Sequence, residues 1–383
     1  MNTSVLIVAG EKSGEKYGAG LVKCFRDQHP ETHFFGVGGR HMFQAGVELA
    51  ASIEEMSVGG AVEILTHIPR LYRIFSRLTK LAKIRKPKAA VLIDSPDFNL
   101  RLAKKLLSLK IPVLYYVSPT VWAWRKSRLK TIKKYVSKMM LIFPFEEKIY
   151  QQKNIPHIYI GHPLCETIEA GLPREKFFKK YGLDPNKQLV SLLPGSRKSE
   201  IKYHMPILTE AIKKICLIYP VQFVLLRADN LPKNLFDPYG NSLSFPLPIL
   251  TNDHSSALTH SILALISCGT ASLQAALLGT PHIAFYRVSP LTFNVGIHFI
   301  KIKLYSIVNI LANKSIIPEL IQNRFTISET MQEFRELFDS KQKRDRMKEE
   351  FKHLAQILGD KNASENAARE LQILIEDSKT GKN

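Results

Sequence analysis

The sequence predicts an α/β protein of two doubly wound parallel-sheet domains, and three observations carry that prediction. Short apolar runs alternate with longer helical patterns, the rhythm of parallel βαβ units. The alternation runs twice, with a pause around Gly161, His162 and Pro163 between the two series. The chain's 383 residues suffice for two domains at roughly 150 residues each, each with a core of its own.

In the first series strands are expected at 4–9, 33–37, 89–93, 112–116 and 138–142, each a short apolar run bounded by polar or turn-forming residues. Between the second and third lies a strongly basic amphipathic pattern over 64–88, with Pro69 expected in the first turn of its helix. A helix follows Asp97, carried by Phe98, Leu100, Leu102, Ala103 and Leu106. After the pause, residues 174–181 form a polar helix closed by Gly182. The second series places strands at 188–193, 221–226, 247–251, 263–267 and 282–286. Beyond about Thr326 the chain is charged and helical, and it frays after Asp377.

Composition narrows the function classes. With 45% apolar and 23% charged residues the chain is neither collagen-like, coiled-coil nor broadly disordered. Lys and Arg number 54 against 34 Asp and Glu, a formal charge of +20 that calls for a polyanionic partner: phosphate groups, nucleic acid or an anionic membrane. No nucleic-acid partner is expected, because zinc-finger spacing, RNP aromatics and a basic recognition helix are all missing. No metal is expected either: the one H-x-x-x-H pair, His29 and His33, has Pro30 between its members. Cys24, Cys165, Cys216 and Cys268 are scattered, which suits a reducing compartment. The apolar run at 5–9 is too short for a signal-peptide core. The uncharged stretch 255–286 is broken by Gly269, Thr270, Gln274, Gly279 and Pro281, so it is read as deep core rather than a membrane span.

In α/β sheets ligands collect outside the carboxyl ends of the strands, so the loops there are the places to look for chemistry. The first carries Lys12 and Ser13 before Gly14, the wrong order for a Walker A loop. Gly14 and Gly18 lie one helical turn apart, where missing side chains let a helix press on the sheet or on a ligand. Gly36-Val-Gly-Gly39 falls short of a dinucleotide fingerprint, since His41 takes the third glycine's place. After the third strand, Asp94 is read as a general base and Asp97 as the N-cap of the next helix. The next loop holds both tryptophans, Trp122 and Trp124, either as a wall for a sugar or acyl chain or as an aromatic plug. In the second half, Gly195, Ser196 and Arg197 open a helix, as do Cys268, Gly269, Thr270 and Ala271. Two such helix N-termini suit one diphosphate; packing is the alternative. The 64–88 helix, with Leu71, Arg73, Phe75 and Arg77, and the apolar 291–304 segment read either as membrane-facing or as a core helix with a solvated basic side.

Taken together, Ala9-Gly-Glu-Lys-Ser-Gly14, Asp94-Ser-Pro-Asp-Phe-Asn99, Val117-Ser-Pro-Thr-Val-Trp-Ala-Trp-Arg125, Phe143-Pro-Phe-Glu146, Gly161-His-Pro163, Leu192-Leu-Pro-Gly-Ser-Arg197, Gly269-Thr-Ala-Ser-Leu273, Tyr286-Arg287 and Asn309-Ile-Leu311 closely resemble the lipid A disaccharide synthases. These are inverting glycosyltransferases of GT-B architecture, and the resemblance spans nearly the whole chain. It implies two Rossmann-like domains with the active site in the cleft between them. Residues 1–165 would form the acceptor and membrane-facing domain, 166–350 the UDP-sugar domain, and 351–383 a helix returning to the first. The implied reaction transfers a 2,3-diacylglucosaminyl unit from UDP to 2,3-diacylglucosamine 1-phosphate, with no cofactor, at the inner face of the inner membrane. A homodimer is left open.

By the same resemblance Asp94 takes the proton of the acceptor hydroxyl, and Gly195, Ser196, Arg197, Cys268, Gly269, Thr270, Ala271, Gln274, Arg287 and Asn309 surround the donor. Glu11, Ser13, Gly14, Ser118, Trp122, Trp124 and Arg125 lie on the acceptor side. The chain departs from the family pattern at Cys268, at Gln274 in place of a glutamate, and more mildly at Glu15. Two rivals stand: a UDP-N-acetylglucosamine 2-epimerase, and a catalytically silent lipid-binding relative.

Overall fold

The five apolar runs of the first series become strands β1 (Ser4–Ala9), β2 (His33–Gly38), β4 (Ala89–Ile93), β5 (Val113–Tyr116) and β6 (Lys138–Leu141), joined by β3 (Val47–Ser52) and β7 (His157–Tyr159). The structure, a computed structural model, describes residues 3–56, 64–123, 125–168, 171–290, 293, 303–359 and 362–380. Among these residues the seven strands form one parallel sheet in the order β3-β2-β1-β4-β5-β6-β7. The second series becomes β8 (Gln188–Leu193), β9 (Val221–Leu226), β10 (Ile249–Leu250), β11 (Ser261–Ser267), β12 (His282–Tyr286) and β13 (Glu319–Ile321). They form a second parallel sheet in the order β10-β9-β8-β11-β12-β13. The two sheets belong to separate units, Met1–Glu166 with Leu358–Asn383 and Thr167–Ile357.

Both sheets are doubly wound, and the strand order tells where a ligand belongs. In the first, the chain runs outward from β1 through β2 to β3, then returns to β4 and runs the other way. The switch point is therefore between β1 and β4, where the 10–14 loop and Asp94 emerge. In the second it is between β8 and β11, whose carboxyl ends lead into the 194–197 and 268–271 turns. Four of the candidate segments thus sit at the two switch points.

Strands missed in the sequence lie at the edges: β3 and β7 flank the first sheet and β13 the second. Central strands, buried on both faces, read as continuous apolar runs. The edge strands carry Glu48, His157 and Glu319 and leave no such signal. At the remaining edge, β10 is only Ile249–Leu250, shorter than expected because Pro248 has no N–H to give a ladder.

In the first unit helix α1 (Lys12–Gln28) lies against the sheet, and α2 (Arg40–Gln44) follows β2. The basic helix α3 spans Ile64–Arg85, so Pro69 sits inside it rather than in its first turn, deleting one intrahelical donor. Ile74, Leu78 and Ala82 are buried, and Leu71 and Phe75 pack on the same core. Two residues read as membrane-facing, Leu71 and Phe75, therefore turn inward, because the apolar stripe of α3 is what covers the sheet. The outer face keeps Arg73 and Arg77, with Ile68 and Tyr72 52% and 71% exposed. Helix α4 (Pro96–Ser108) follows β4. The C-terminal helix Ala363–Thr380 packs on α1: Ala367, Leu371 and Leu374 share a core cluster with Leu21, Val22 and Phe25. Lys138 Nζ meets Glu370 Oε2 at 2.6 Å on the same helix.

In the second unit α5 (Lys198–Ile218) follows β8, α6 (Thr270–Leu277) follows β11, and α7 (Ile307–Ala312) precedes β13. The 174–181 helix forms as expected, closed by Gly182 at φ 64°. All four cysteines are free thiols.

Candidate active site

Asp94 leaves β4 in a conformation that side-chain-bearing residues rarely adopt. Its φ is 54° and that of Ser95 is 44°, two consecutive left-handed residues of the kind that cluster at functional sites. Neighbouring side chains hold them there. Asn99 Nδ2 donates to the carbonyls of Ile93 (3.1 Å) and Asp94 (2.7 Å), and the Tyr115 hydroxyl donates to the Asp94 carbonyl at 2.6 Å. One carboxylate oxygen of Asp94 accepts from the Ser95 amide at 2.8 Å. The half-buried carboxylate is thereby turned into a fixed direction at the sheet's carboxyl edge.

Gly14 and Gly18 explain how α1 comes so close. A Cβ on Gly14 would lie 3.0 Å from Ile93 Cγ2 and 3.8 Å from Asp94 Cβ, and one on Gly18 2.8 Å from Ile93 Cδ1. Both glycines thus serve helix-to-sheet contact, and the contact brings the start of α1, with half-buried Ser13, beside Asp94. Glu11, exposed, is the residue before the helix. Glu15 points the other way and fills the N-terminus of α2, accepting from the Met42 amide and pairing with His41 Nδ1, both at 2.9 Å. The Gly36–Gly39 turn therefore leads into a helix end already occupied by this chain's own carboxylate.

Asp97 is not the N-cap of α4; Ser95 holds that place. Asp97 instead takes Arg125 Nη1 (2.9 Å) and Arg128 Nη2 (2.7 Å) on one oxygen, tying the tryptophan loop to the helix after Asp94. Trp122 is half-buried, its ring edge-on to Phe145 at 5.6 Å, which stacks on Phe143 at 5.7 Å, which faces the His162 ring at 5.1 Å. Trp122 thus contacts other aromatic rings on one side; Trp124 lies outside the described residues. Beneath it, Ser118 is buried within 2.7 Å of the Tyr150 hydroxyl. Glu146 is buried against Ser118 and the Trp122 indole, and burial pushes its carboxyl up to about 8. Burial also pushes His162 down to about 3; its Nδ1 accepts from the Leu164 amide.

At the second switch point the two turns differ. Ser196 and Arg197 donate their amides to Glu200 Oε2 at 2.7 and 3.2 Å, and Arg197 Nη1 meets Glu200 Oε1 at 3.2 Å. Glu200 thus takes part of the helix N-terminus that the sequence offers to an anion, a carboxylate at the third helical position capping its own helix. A Cβ on Gly195, at φ 128°, would lie 2.4 Å from Glu200 Oε2. At α6 there is no acidic residue in the first turn. Among the described residues a Cβ on Gly269 would find only Ser267 O, at 4.0 Å, so none of them requires glycine there. Gly269 and Thr270 are exposed, and Ala271, Gln274 and Cys268 half-buried. Arg287, on the neighbouring turn after β12, has a guanidinium without a partner among the described residues.

Asn309, on the donor side by the resemblance, has no exposed surface. It receives the amides of Ile316 and Ile317 and donates to Ile317 O and Glu319 Oε1. Its amide is spent on holding the approach to β13. Sequence reasoning passed over Asn99, Tyr115, Glu200 and His204. Glu200 alone had a visible signal, a carboxylate three residues into a helix that opens with a serine and an arginine. Of the 291–304 segment, only 293, 303 and 304 are among the described residues. Also among these residues, no cluster of His, Cys, Asp or Glu is built to hold a metal ion.

A family model described as lipid-A-disaccharide synthetase matches residues 5–373. The lipid-A-disaccharide synthase of Koribacter versatilis is 39% identical over 373 residues, covering 95% of this chain and 97% of that protein. The synthase of Coxiella burnetii is 36% identical over 375 residues, 98% and 99% of the two chains. Among solved structures, the fold is similar to UDP-GlcNAc 2-epimerase from Neisseria meningitidis bound to UDP-GlcNAc (TM-score 0.67, 14% identity, 100% of both chains). It is also similar to CalG4, the calicheamicin glycosyltransferase (TM-score 0.61, 13% identity, 98% and 99%). The fold is that of the GT-B glycosyltransferases and related epimerases.

Proposed function

The chain belongs to the lipid-A-disaccharide synthetase family, and from that premise we propose how its residues divide the work of a hexosyltransferase of lipid A biosynthesis. The donor is UDP-2,3-diacylglucosamine and the acceptor 2,3-diacylglucosamine 1-phosphate; the product is the β-1,6-linked disaccharide 1-phosphate, with UDP released. Residues 1–165 receive the acceptor and residues 166–350 the donor. Asp94 accepts the proton of the acceptor 6-hydroxyl as that oxygen attacks the anomeric carbon, inverting it. A free aspartate, with a pKa near 3.9, is a weak base, so the reading calls for partial desolvation of Asp94 or for a proton that moves late, after the C–O bond has begun to form.

The leaving UDP gathers negative charge on its diphosphate. The open N-terminus of α6, the Arg287 guanidinium and the Arg197 guanidinium supply positive potential where that charge grows, with no metal or other cofactor. The observation that carries this reading is the open α6 turn at the switch point of the second sheet, with a glycine that none of the described residues requires. The family match disfavours the epimerase. Mass spectrometry after incubation with both substrates, together and singly, tests the reaction: disaccharide 1-phosphate is expected only with both. No product despite measurable UDP binding would point to another sugar acceptor or to the epimerase, and absent UDP binding to a silent relative.

The diacylated substrates also call for a lipid surface. No helix among the described residues is long and apolar enough to cross a membrane, and α3 supports peripheral attachment at the inner face of the inner membrane. Ile68 and Tyr72 stand exposed one turn apart, beside Arg73 and Arg77. Arg101, Lys104 and Lys105 on the neighbouring α4 add basic side chains to the same side. Each basic residue at an anionic leaflet contributes about 1 kcal/mol. Cosedimentation with anionic vesicles is therefore expected to fall with salt and with reversal of Arg73 and Arg77 to Glu. Binding that is absent, or indifferent to both, counts against the surface.

A further inference from the structure

His204 lies on α5, on no motif, and is completely buried. Burying an imidazole is unfavourable unless both nitrogens find partners, and here each finds one on a different loop of the donor surface. One nitrogen, Nδ1, is 2.6 Å from the Pro194 carbonyl, at the base of the turn that carries Arg197. The other, Nε2, receives the Arg287 amide at 2.9 Å. A backbone N–H can only donate, so Nε2 must present its lone pair and Nδ1 must carry the proton. The Arg287 carbonyl, 3.1 Å from Nε2, then receives no hydrogen from it.

We infer that His204 is a positioning residue for the donor diphosphate, its neutral ring setting the spacing of the Arg197 and Arg287 turns. The inference rests on the reading of those two arginines as diphosphate contacts. Gln322 completes the clamp from the far side: its Oε1 accepts the Val288 amide at 3.1 Å and its Nε2 donates to the Val288 carbonyl at 3.0 Å. With its own amide and the adjoining peptide groups committed, the Arg287 turn is fixed, and its guanidinium is the part left to reach a ligand. An apolar side chain would fill the pocket between the Phe285 and Phe325 rings, 5.2 and 5.8 Å away, but would join neither loop. Burial holds the imidazole below its ordinary range, with Glu200 and the two carbonyls pulling weakly the other way, which keeps the ring in the neutral form the bridge needs.

Two conservative variants separate bridging from mere packing. His204→Asn keeps a donor toward Pro194 and loses the acceptor for Arg287, whereas Gln can extend Oε1 to the Nε2 position. Losing one buried hydrogen bond of this kind is expected to weaken UDP binding about tenfold in His204→Asn, read by calorimetry. Donor KM rises in step, and kcat falls as well, because the displaced arginines also meet the charge that builds on the leaving diphosphate. His204→Gln is expected to recover most of the affinity. Thermal midpoints are read on both, since a residue that only packs would lower affinity equally in the two variants and in step with stability. That outcome, or wild-type UDP affinity in both, overturns the inference. Arg287→Ala is the control. Unchanged UDP affinity there overturns the diphosphate reading and this inference with it, whereas weakened binding beside unaffected His204 variants overturns this inference alone.

Discussion

Asp94→Asn is expected to lower turnover by about two to four orders of magnitude, the usual worth of a positioned general base, while UDP affinity stays near wild type. The amide matches the carboxylate in shape, and asparagine tolerates a left-handed backbone, so the φ of 54° survives. An Oδ1 toward the Ser95 amide can also persist, and the Asn99 and Tyr115 bonds run to the backbone carbonyl, which the substitution leaves alone. What disappears is the ability to accept a proton. The loss should therefore fall on kcat, with the donor KM little moved. UDP binding, in the other unit, reports that the donor side is intact. Turnover close to wild type in a folded Asp94→Asn variant would remove Asp94 as the base.

Arg197→Ala is expected to weaken UDP binding by about tenfold or somewhat more. A hydrogen bond to a charged group contributes about 1.5–3 kcal/mol, or roughly 10- to 150-fold. Two features place the effect at the low end. The Arg197 side chain is 54% exposed, so water screens it. It also already has a partner in Glu200, and a phosphate gains only the difference. Lysine at this position should recover part of the affinity, since it restores charge without the planar fork. Calorimetry with UDP measures both variants, and alanine affinity equal to wild type takes Arg197 out of the diphosphate site.

Much of this site was legible because strand ends and turns leave local marks. Asp94 follows an apolar run and precedes a proline, and the 194–197 and 268–271 turns each join a strand to a helix; none of this needs distant residues to be noticed. What the local marks misjudged was occupancy. The sequence offers the helix starts at Lys198 and Thr270 as equivalent N-termini, yet Glu200 fills the first, and Glu15 fills the helix start at Arg40. Glu15 lies 27 residues from the amide it accepts, a separation no spacing argument spans. Membrane-facing residues went astray for a related reason. Periodicity shows that α3 has an apolar stripe but not which way it faces, and the core claimed Leu71 and Phe75 while leaving Ile68 and Tyr72 outside.

The sequence by itself determined the α/β class, the central strands, the two series of βαβ units, the segments that carry chemistry and the family they resemble. These follow from nearest-neighbour physics: runs buried on both faces must be apolar, and the turns after them need small or polar residues. Only the tertiary structure decided the edge strands, the clamp of Asn99 and Tyr115 on the backbone of Asp94, the burial of Asn309, and the bridge from His204 to Pro194 and Arg287. Each depends on groups brought together from 5 to 83 residues apart. A hydrogen bond across such distances is chosen by the packing of whole sheets, which no short stretch of sequence records.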